Sequence, residues 1–251
     1  MTPHAPRVLA LLASACLSLA CHAAVLTVSA AASLNNALRD VAPLFEAAHP
    51  GTRVQFNFAA SGALLQQLAQ GAPVDVFVSA DQQTMDQAQA RGLVVAAQRY
   101  NVVANTLVVI VPAASVKAPK ALAELTQAAY PRVAIGLPAS VPAGRYARAA
   151  LQAAGMWAAI EARMIGVQTP RQALDYAARG EVDAAFVYAT DAALMPAKVR
   201  VAFVVPTIQP ILYPAAPLAT SPNPALAQRF VEFLRAPQAQ AVLAGFGFGS
   251  S

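Results

Sequence analysis

Short apolar strands alternate with amphipathic helices along this sequence, and that alternation constrains the fold more than any other feature. The first part of the chain contains three predicted strands, at residues 25–30, 53–59 and 74–80. Each strand is followed by a helical pattern, and these patterns begin at Ser33, Ser61 and Asp81. A strand–helix order repeated three times is typical of a mostly parallel sheet with helices on both faces.

A second α/β set occupies the middle of the chain. Its predicted strands are residues 107–112, 132–136, 162–167, 183–188 and 199–205. Its predicted helices are a short one within residues 116–130, one that opens at Pro142 and one that opens at Thr169-Pro170. The C-terminal segment predicts two further short helices, with a break at Ala236-Pro237.

The two sets follow each other without a long linker, so we predict an α/β fold of two lobes, each a mixed sheet flanked by helices. The chain is expected to cross between the lobes near residues 103–105 and again near residues 206–210. The predicted boundaries assign residues 24–103 and 209–251 to lobe I and residues 104–208 to lobe II.

The first 23 residues predict a cleavable signal peptide, because a basic start precedes an apolar run and small residues. We expect cleavage after Ala23 or Ala24, and hence a protein of the periplasm. Cys16 and Cys21 both lie in this leader, so the mature chain needs neither disulfides nor zinc–thiolate sites. The alternative is that Cys21 becomes a lipid-anchored first residue, although Ser18 stands where a lipoprotein signal has leucine.

Composition and charge exclude several function classes. An apolar fraction of 57% and a charged fraction of 12% exclude a disordered chain. The net charge of +5 is spread over single Lys and Arg residues, so we expect no nucleic-acid partner. His49 is the one histidine beyond the leader, and no catalytic or metal-ligand motif accompanies it. We therefore expect no enzyme, no cofactor and no direct protein ligand to a metal.

Tiny residues with a hydroxyl or a bare amide recur where strands turn into helices. These turns are Ala31-Ala32-Ser33, Ala60-Ser61-Gly62, Ser79-Ala80-Asp81 and Pro142-Ala143-Gly144. Helix starts carry unpaired N–H groups and a partial positive charge, and small side chains let an anion approach them. Such turns meet beyond the carboxyl ends of the strands, which predicts an anion site there. For a single serine, the alternative is an ordinary N-cap of its own helix.

From Val25 to its C-terminus the sequence resembles the periplasmic molybdate-binding proteins of ABC importers. The resemblance rests on SAAASLNNAL, on GAPVDVFVSADQ, on VPAGRYARAAL and on RQALDYAARGEVDAAFVYATDA, at residues 29–38, 71–82, 141–151 and 171–192. It implies the two-lobed periplasmic-binding-protein fold, with molybdate or tungstate bound in the cleft between the lobes. It also implies a membrane permease of an ABC importer as the partner of a monomeric binding protein.

The same resemblance implies which groups bind the oxyanion. The implied donors are the hydroxyl and amide of Ser33, the same pair of Ser61, the amides of Ala80 and Ala143, and the phenol of Tyr188. One position departs from the family pattern, because Pro170 has no N–H to donate. The helix start at Thr169, Pro170 and Arg171 then contributes its dipole, or a hydrogen bond from Arg171.

Other ligands and one other protein class stay open at this point. Sulfate or thiosulfate would suit the same donors, and sequence does not give the cavity size that separates them from molybdate. An organic anion would call for an anchor such as Arg145 or Arg171, which we assign to the protein surface. A two-lobed anion-sensing domain of a transcription regulator would need a DNA-binding helix pair where this chain has its predicted leader.

Overall fold

The structure is a computed structural model that describes residues 24–251. The predicted signal peptide and both cysteines lie outside the described residues. The strands are β1 (Ala24–Ala31), β2 (Thr52–Ala59), β3 (Val76–Val78), β4 (Tyr100–Asn105), β5 (Leu107–Pro112), β6 (Val133–Gly136), β7 (Met164–Val167), β8 (Ala184–Tyr188), β9 (Val199–Val204) and β10 (Ile211–Pro217).

Nine α-helices are found in the part of the chain that the structure describes. They are α1 (Asn35–Ala48), α2 (Ser61–Ala69), α3 (Gln82–Ala90), α4 (Pro142–Ala153), α5 (Trp157–Glu161), α6 (Pro170–Ala178), α7 (Ala189–Ala192), α8 (Pro224–Phe233) and α9 (Pro237–Gly245). None of these described helices is both long and apolar enough to cross a membrane.

The strands form two mixed five-stranded sheets. The first has the order β2-β1-β3-β10-β4, with β1 parallel to β2 and β3 and with β10 antiparallel to its neighbours. The second has the order β7-β6-β8-β5-β9, with β6 parallel to β7 and β8 and with β5 antiparallel to its neighbours. Helices flank both sheets, as the alternating sequence pattern predicts.

The chain passes between the sheets twice. Thr106 separates β4 from β5, and residues 205–210 separate β9 from β10. Both passages lie where the sequence places its crossings. Strand β4 continues to Asn105, two residues beyond the predicted end of lobe I at residue 103. The lobe boundaries themselves stay a prediction.

Several local predictions are wrong. Residues 116–130 contain only a 3-10 helix at Leu122–Thr126, and the strand predicted at 162–167 begins at Met164. Helix α1 starts at Asn35, because a 3-10 turn at Ala32–Leu34 comes first. Strands β4 and β10 are absent from the predictions. Proline cannot donate to a sheet, so the prolines of β10 argue against a central strand. The strand accommodates Pro214 through an irregular register beside Tyr213.

The apolar core reaches from one sheet to the other. In the first sheet, Phe45 of α1 is fully buried and packs edge-on against Phe230 of α8, with ring centroids 5.0 Å apart. Complete burial of such a side chain stabilises the fold by about 1.5–3 kcal/mol. Tyr188 at the end of β8 meets Tyr213 of β10, with centroids 5.8 Å apart. The two sheets therefore share one continuous core at the ends of these strands.

Candidate functional site

A small cavity lies where the carboxyl ends of strands from both sheets meet. The first sheet contributes the last residues of β1 and β2 and the residues that follow β1, β2 and β3, and the second contributes the end of β8 and the starts of α4 and α6. The cavity is lined by Ala31, Ala32, Ser33, Ala59, Ala60, Ser61, Ala80, Val141, Pro142, Pro170 and Tyr188. No charged side chain is among these lining residues, so any ligand must be recognised by neutral groups.

The two sheets approach each other closely beside the cavity. The N–H of Gly62, at the start of α2, donates a hydrogen bond of 2.9 Å to the carbonyl oxygen of Ser140. A Cβ at position 62 would stand 2.6 Å from that oxygen, which is too close for any side chain. Glycine at this position therefore allows the contact that joins the two sides of the cavity.

Ser61 is held by a backbone group of the neighbouring turn. Its side chain is fully buried, and its Oγ accepts a hydrogen bond of 2.9 Å from the N–H of Ala80. It makes no capping bond to its own helix. The Ala80 amide, expected from the sequence as a direct donor to the ligand, thus has a partner in the protein. That bond leaves the hydroxyl hydrogen of Ser61 available to the cavity.

Ser33 is held by a side chain that sequence reasoning missed. Its Oγ lies 3.0 Å from the Oη of Tyr213, which is 180 positions away in the sequence. Asn105 Nδ2 donates to the same Tyr213 oxygen at 3.1 Å. The 3-10 turn that contains Ser33 has no side-chain cap. Neither serine therefore acts as the N-cap that the alternative interpretation expects.

Tyr188 supplies the third hydroxyl of the cavity. Its side chain is 1% exposed, and its Oη has no hydrogen-bond partner among residues 24–251. Burial raises the pKa of this phenol well above its usual value, so the group stays protonated at physiological pH. Buried hydroxyls almost always have partners, and an unpartnered one at a cavity wall indicates a ligand that accepts its hydrogen.

The other expected site residues lie at different distances from the cavity. Pro142 lines the cavity as the first residue of α4, and the next residue, the buried Ala143, is not among the lining residues. Pro170 lines the wall as the first residue of α6. Thr169 caps that helix, because its Oγ1 accepts from the N–H of Gln172 at 3.1 Å. Arg171 lines a neighbouring cavity with Ser33.

The sequence-based assignment of Arg145 and Arg171 to the surface is wrong. Both arginines pair with buried aspartates: Arg145 with Asp81 at 2.6 Å and Arg171 with Asp191 at 3.4 Å. Their side chains are 16% and 28% exposed, because each reaches inward from α4 or α6. Neither lines the cavity that contains Ser33, Ser61 and Tyr188, so neither is placed to anchor an organic anion there.

The cavity wall offers two kinds of hydrogen-bond donor, side-chain hydroxyls and the N–H groups of helix starts, and it contains no charged side chain. Within the described range, no group of three or more His, Cys, Asp or Glu side chains could hold a metal ion. Neutral O–H and N–H donors can surround an anion and leave each of its oxygens hydrogen-bonded. The site therefore has the chemistry to bind a small anion whole.

Comparison with known proteins agrees with this chemistry. A family model described as bacterial extracellular solute-binding protein matches residues 26–249. The chain belongs to this family. Its sequence is 36% identical over 228 residues to the molybdate-binding protein ModA of Escherichia coli, covering 89% of this chain and 88% of that protein. The resemblance to molybdate-binding proteins is thereby confirmed, and so is the expectation of a binding protein rather than an enzyme.

Two solved structures confirm the fold. The periplasmic molybdate-binding protein of Azotobacter vinelandii matches with a TM-score of 0.77 at 23% identity, covering 90% of this chain and 99% of that chain. The sulfate-binding protein SubI of Mycobacterium tuberculosis matches with a TM-score of 0.79 at 20% identity, covering 90% of this chain and 86% of that chain. The two-lobed solute-binding fold is thus common to proteins named for different oxyanions, and fold alone does not select the ligand.

Proposed function

We propose that this protein is the solute-binding subunit of an ABC importer and that it captures a tetrahedral dianion, molybdate or tungstate. The observation that carries the proposal is the unpartnered hydroxyl of Tyr188 in a cavity that also contains Ser33 and Ser61. Similarity to the molybdate-binding protein of Escherichia coli supports the choice of ligand. No acidic side chain lines the cavity, which favours an anion without a proton.

Binding would bring the two lobes together. The proposed donors from lobe I are Ser33 and Ser61, with Ala80 acting through Ser61, and those from lobe II are Tyr188 and the start of α4 at Ala143. A ligand that bridges both sides binds a closed arrangement more tightly than an open one, and so shifts the population toward closure. The closed protein would then dock on the permease. We propose residues 24–103 with 209–251, and residues 104–208, as the two moving lobes.

We also propose that the protein acts in the periplasm. A signal peptide at residues 1–23 would deliver a monomeric protein to the periplasm, which agrees with membership of an extracellular family. No cofactor and no nucleic acid has a part in this function. The ligand is held as an intact oxyanion, and no side chain coordinates the metal atom directly.

The test is a thermal-unfolding series on the mature protein with molybdate, tungstate, sulfate, thiosulfate and phosphate. A ligand at about 100 times its dissociation constant adds about 2.7 kcal/mol of stability, which is a readily measured shift. Stabilisation by molybdate and tungstate alone supports the proposal. Stabilisation by sulfate or thiosulfate instead keeps the importer role and replaces the ligand. No shift with any oxyanion would overturn oxyanion binding altogether.

Serine variants connect the ligand to the cavity. Ser61→Ala and Ser33→Ala are each expected to weaken molybdate binding by about 1–3 kcal/mol, since each removes a hydrogen bond to a charged ligand. The matched control is Ser115→Ala, because Ser115 does not line the cavity and its hydroxyl bonds, within the described chain, to the carbonyl and the N–H of Lys117. Titration calorimetry measures all three. Undiminished affinity in both cavity variants would exclude the serines as donors.

A further inference from the structure

Asn105, Tyr213 and Ser33 form a chain of hydrogen bonds that ends at the cavity. Asn105 Nδ2 is 3.1 Å from Tyr213 Oη, and Tyr213 Oη is 3.0 Å from Ser33 Oγ. Tyr213 is fully buried, and neither it nor Asn105 lines the cavity. The two residues therefore do not line the site themselves, and the hydrogen-bond chain that links them to it runs through Ser33.

The direction of this chain follows from the amide of Asn105. Its Oδ1 accepts a hydrogen bond of 2.8 Å from the N–H of Thr106, which identifies the oxygen and fixes the orientation of the amide. The two hydrogens of Nδ2 then go to Thr190 Oγ1 at 2.9 Å and to Tyr213 Oη. Tyr213 is thus an acceptor toward Asn105.

The hydrogen of Tyr213 is consequently donated to Ser33. Burial raises the pKa of the Tyr213 phenol, so it keeps its single hydrogen. Among the described residues, the hydroxyl partner of Tyr213 other than its donor Asn105 is Ser33. If Ser33 donated instead, the buried Tyr213 hydrogen would lose the acceptor that the hydrogen-bond geometry of the described residues gives it, which is unfavourable.

Ser61, like Ser33, accepts a hydrogen bond from the protein through its hydroxyl oxygen. Ser61 Oγ accepts from the N–H of Ala80, so its own hydrogen is not used in that bond. Both serine oxygens of the cavity therefore accept from the protein, and both hydrogens remain for a ligand. An oxyanion that carries a proton needs an acceptor for it, and these oriented hydroxyls present hydrogens instead.

We propose that Asn105 and Tyr213 are positioning residues that set the proton selectivity of the cavity. By holding the Ser33 hydroxyl as a donor, they make the cavity favour fully deprotonated tetrahedral oxyanions over protonated oxyanions of the same charge and similar size. The inference rests on the proposed function, since it assigns how the same oxyanion site distinguishes its ligands. Neither residue touches the ligand.

The experiment compares selenate with arsenate. At mildly alkaline pH both are tetrahedral dianions of similar size, and they differ by one proton, which only arsenate carries. The readout is the ratio of the two dissociation constants, arsenate over selenate, measured by competition against bound molybdate. In Tyr213→Phe the Ser33 hydroxyl is free to rotate and accept, so we expect this ratio to fall about tenfold.

Two further variants test whether the effect comes from the orientation of the Ser33 hydroxyl or from a general loss of structural support. Asn105→Ala removes the donor to Tyr213 and lets the Ser33–Tyr213 bond reverse, so the ratio should fall here as well, without any change at the cavity wall. The matched control is Tyr176→Phe, which removes a phenol that accepts from Gln172 Nε2 at 2.9 Å on α6. Its arsenate-to-selenate ratio should equal that of the wild type.

The outcomes separate this inference from the proposed function. A lowered ratio in both Tyr213→Phe and Asn105→Ala supports the positioning role. Equal weakening of both anions, or no change in either, would overturn it while leaving oxyanion binding intact. A lowered ratio in Tyr213→Phe alone would remove Asn105 from the chain and overturn the proposal in its present form. Failure of the wild-type protein to bind any oxyanion contradicts the proposed function first.

Discussion

Two arginine–aspartate pairs stand beside the cavity, and they differ in how completely their charges are satisfied. Arg145 donates to Asp81 Oδ2 from Nε at 2.7 Å and contacts it from Nη2 at 2.6 Å, and it also bonds to Thr84 Oγ1 at 2.6 Å. Arg171 Nε is 3.4 Å from Asp191, and neither carboxylate oxygen of Asp191 has a hydrogen-bond partner in the described chain.

The difference follows from where each aspartate lies. Asp81 follows β3 of the first sheet, so its pair with Arg145 of α4 joins the two sheets. Asp191 lies in α7 beside the second sheet, and its partner Arg171 also reaches toward Asn36 of α1 at 3.3 Å. Removing two charges from water is repaid only by good geometry. The first pair therefore joins the lobes with its charges well satisfied, and the second leaves a buried carboxylate poorly compensated.

The largest expected effect comes from breaking the well-satisfied pair. Arg145→Ala should lower the free energy of unfolding by about 3–5 kcal/mol, because Asp81 is left buried without its counter-charge. Urea denaturation measures this loss. Arg148→Ala is the matched control, since Arg148 is exposed on the same helix and lies over the face of Trp157 rather than beside a buried aspartate.

A double variant sharpens the same comparison. Adding Asp81→Asn to Arg145→Ala removes the uncompensated charge and keeps a residue that can cap α3, where Asp81 Oδ1 accepts from the N–H of Thr84. The double variant should therefore be more stable than Arg145→Ala alone. If the two losses simply add, the side chains are not coupled across the lobes.

The second effect is a pH dependence from the poorly satisfied pair. Burial raises the pKa of Asp191 from 3.8 to about 6, and the nearby Arg171 only partly opposes this. The folded state then holds a proton that the unfolded state releases, so stability contributed by this group falls as pH rises from about 4 to about 6. The fall is about 3 kcal/mol, since each pKa unit corresponds to about 1.4 kcal/mol.

Asp191→Asn removes this titration. The difference in unfolding free energy between the variant and the wild type should move in favour of the variant as pH rises through that window, and stay constant above it. The difference cancels the titration of all other groups. A difference that does not change between acidic and neutral pH would mean that the Asp191 carboxylate is as well compensated as that of Asp81.

Residues at strand ends could be predicted from the sequence, whereas their partners from distant parts of the chain could not. Ser33, Ser61 and Tyr188 could be predicted to share one cavity because each stands at or just after the end of a strand, where local pattern and resemblance both point. Partners across the molecule leave no local signal: Arg145 lies 64 positions from Asp81, and Tyr213 lies 180 from Ser33. Tyr213 was also difficult to predict because it lies in β10, and the prolines of that segment argue against a strand.

The positions of backbone groups around the cavity also could not be predicted from the sequence. The sequence indicates an amide at Ala80 and a hydroxyl at Ser61, but it does not indicate that the two bond to each other at 2.9 Å. It likewise places Ala143 at a helix start without showing that Pro142, and not Ala143, lines the cavity. Such arrangements depend on how the turns of different strands face one another, which strand and helix periodicity do not encode.

The smallest expected effect concerns the residue that precedes Arg171. Pro170→Ala gives the first residue of α6 an N–H at the cavity wall and leaves the Arg171–Asp191 pair and its pH dependence in place. One added donor should tighten molybdate binding about fivefold, which corresponds to about 1 kcal/mol. The unfolding free energy should fall by about 0.4–1 kcal/mol, because proline restricts the unfolded chain.

The opposite signs of these two changes make the prediction specific. Pro224→Ala and Pro237→Ala are matched controls, since both prolines begin helices that do not line the cavity. They should show the small loss of stability without the gain in affinity. If Pro170→Ala also leaves affinity unchanged, the missing N–H is not a gap in the donor set, and the start of α6 acts on the anion only through its dipole. A ligand held by hydroxyls would then need nothing more from this helix.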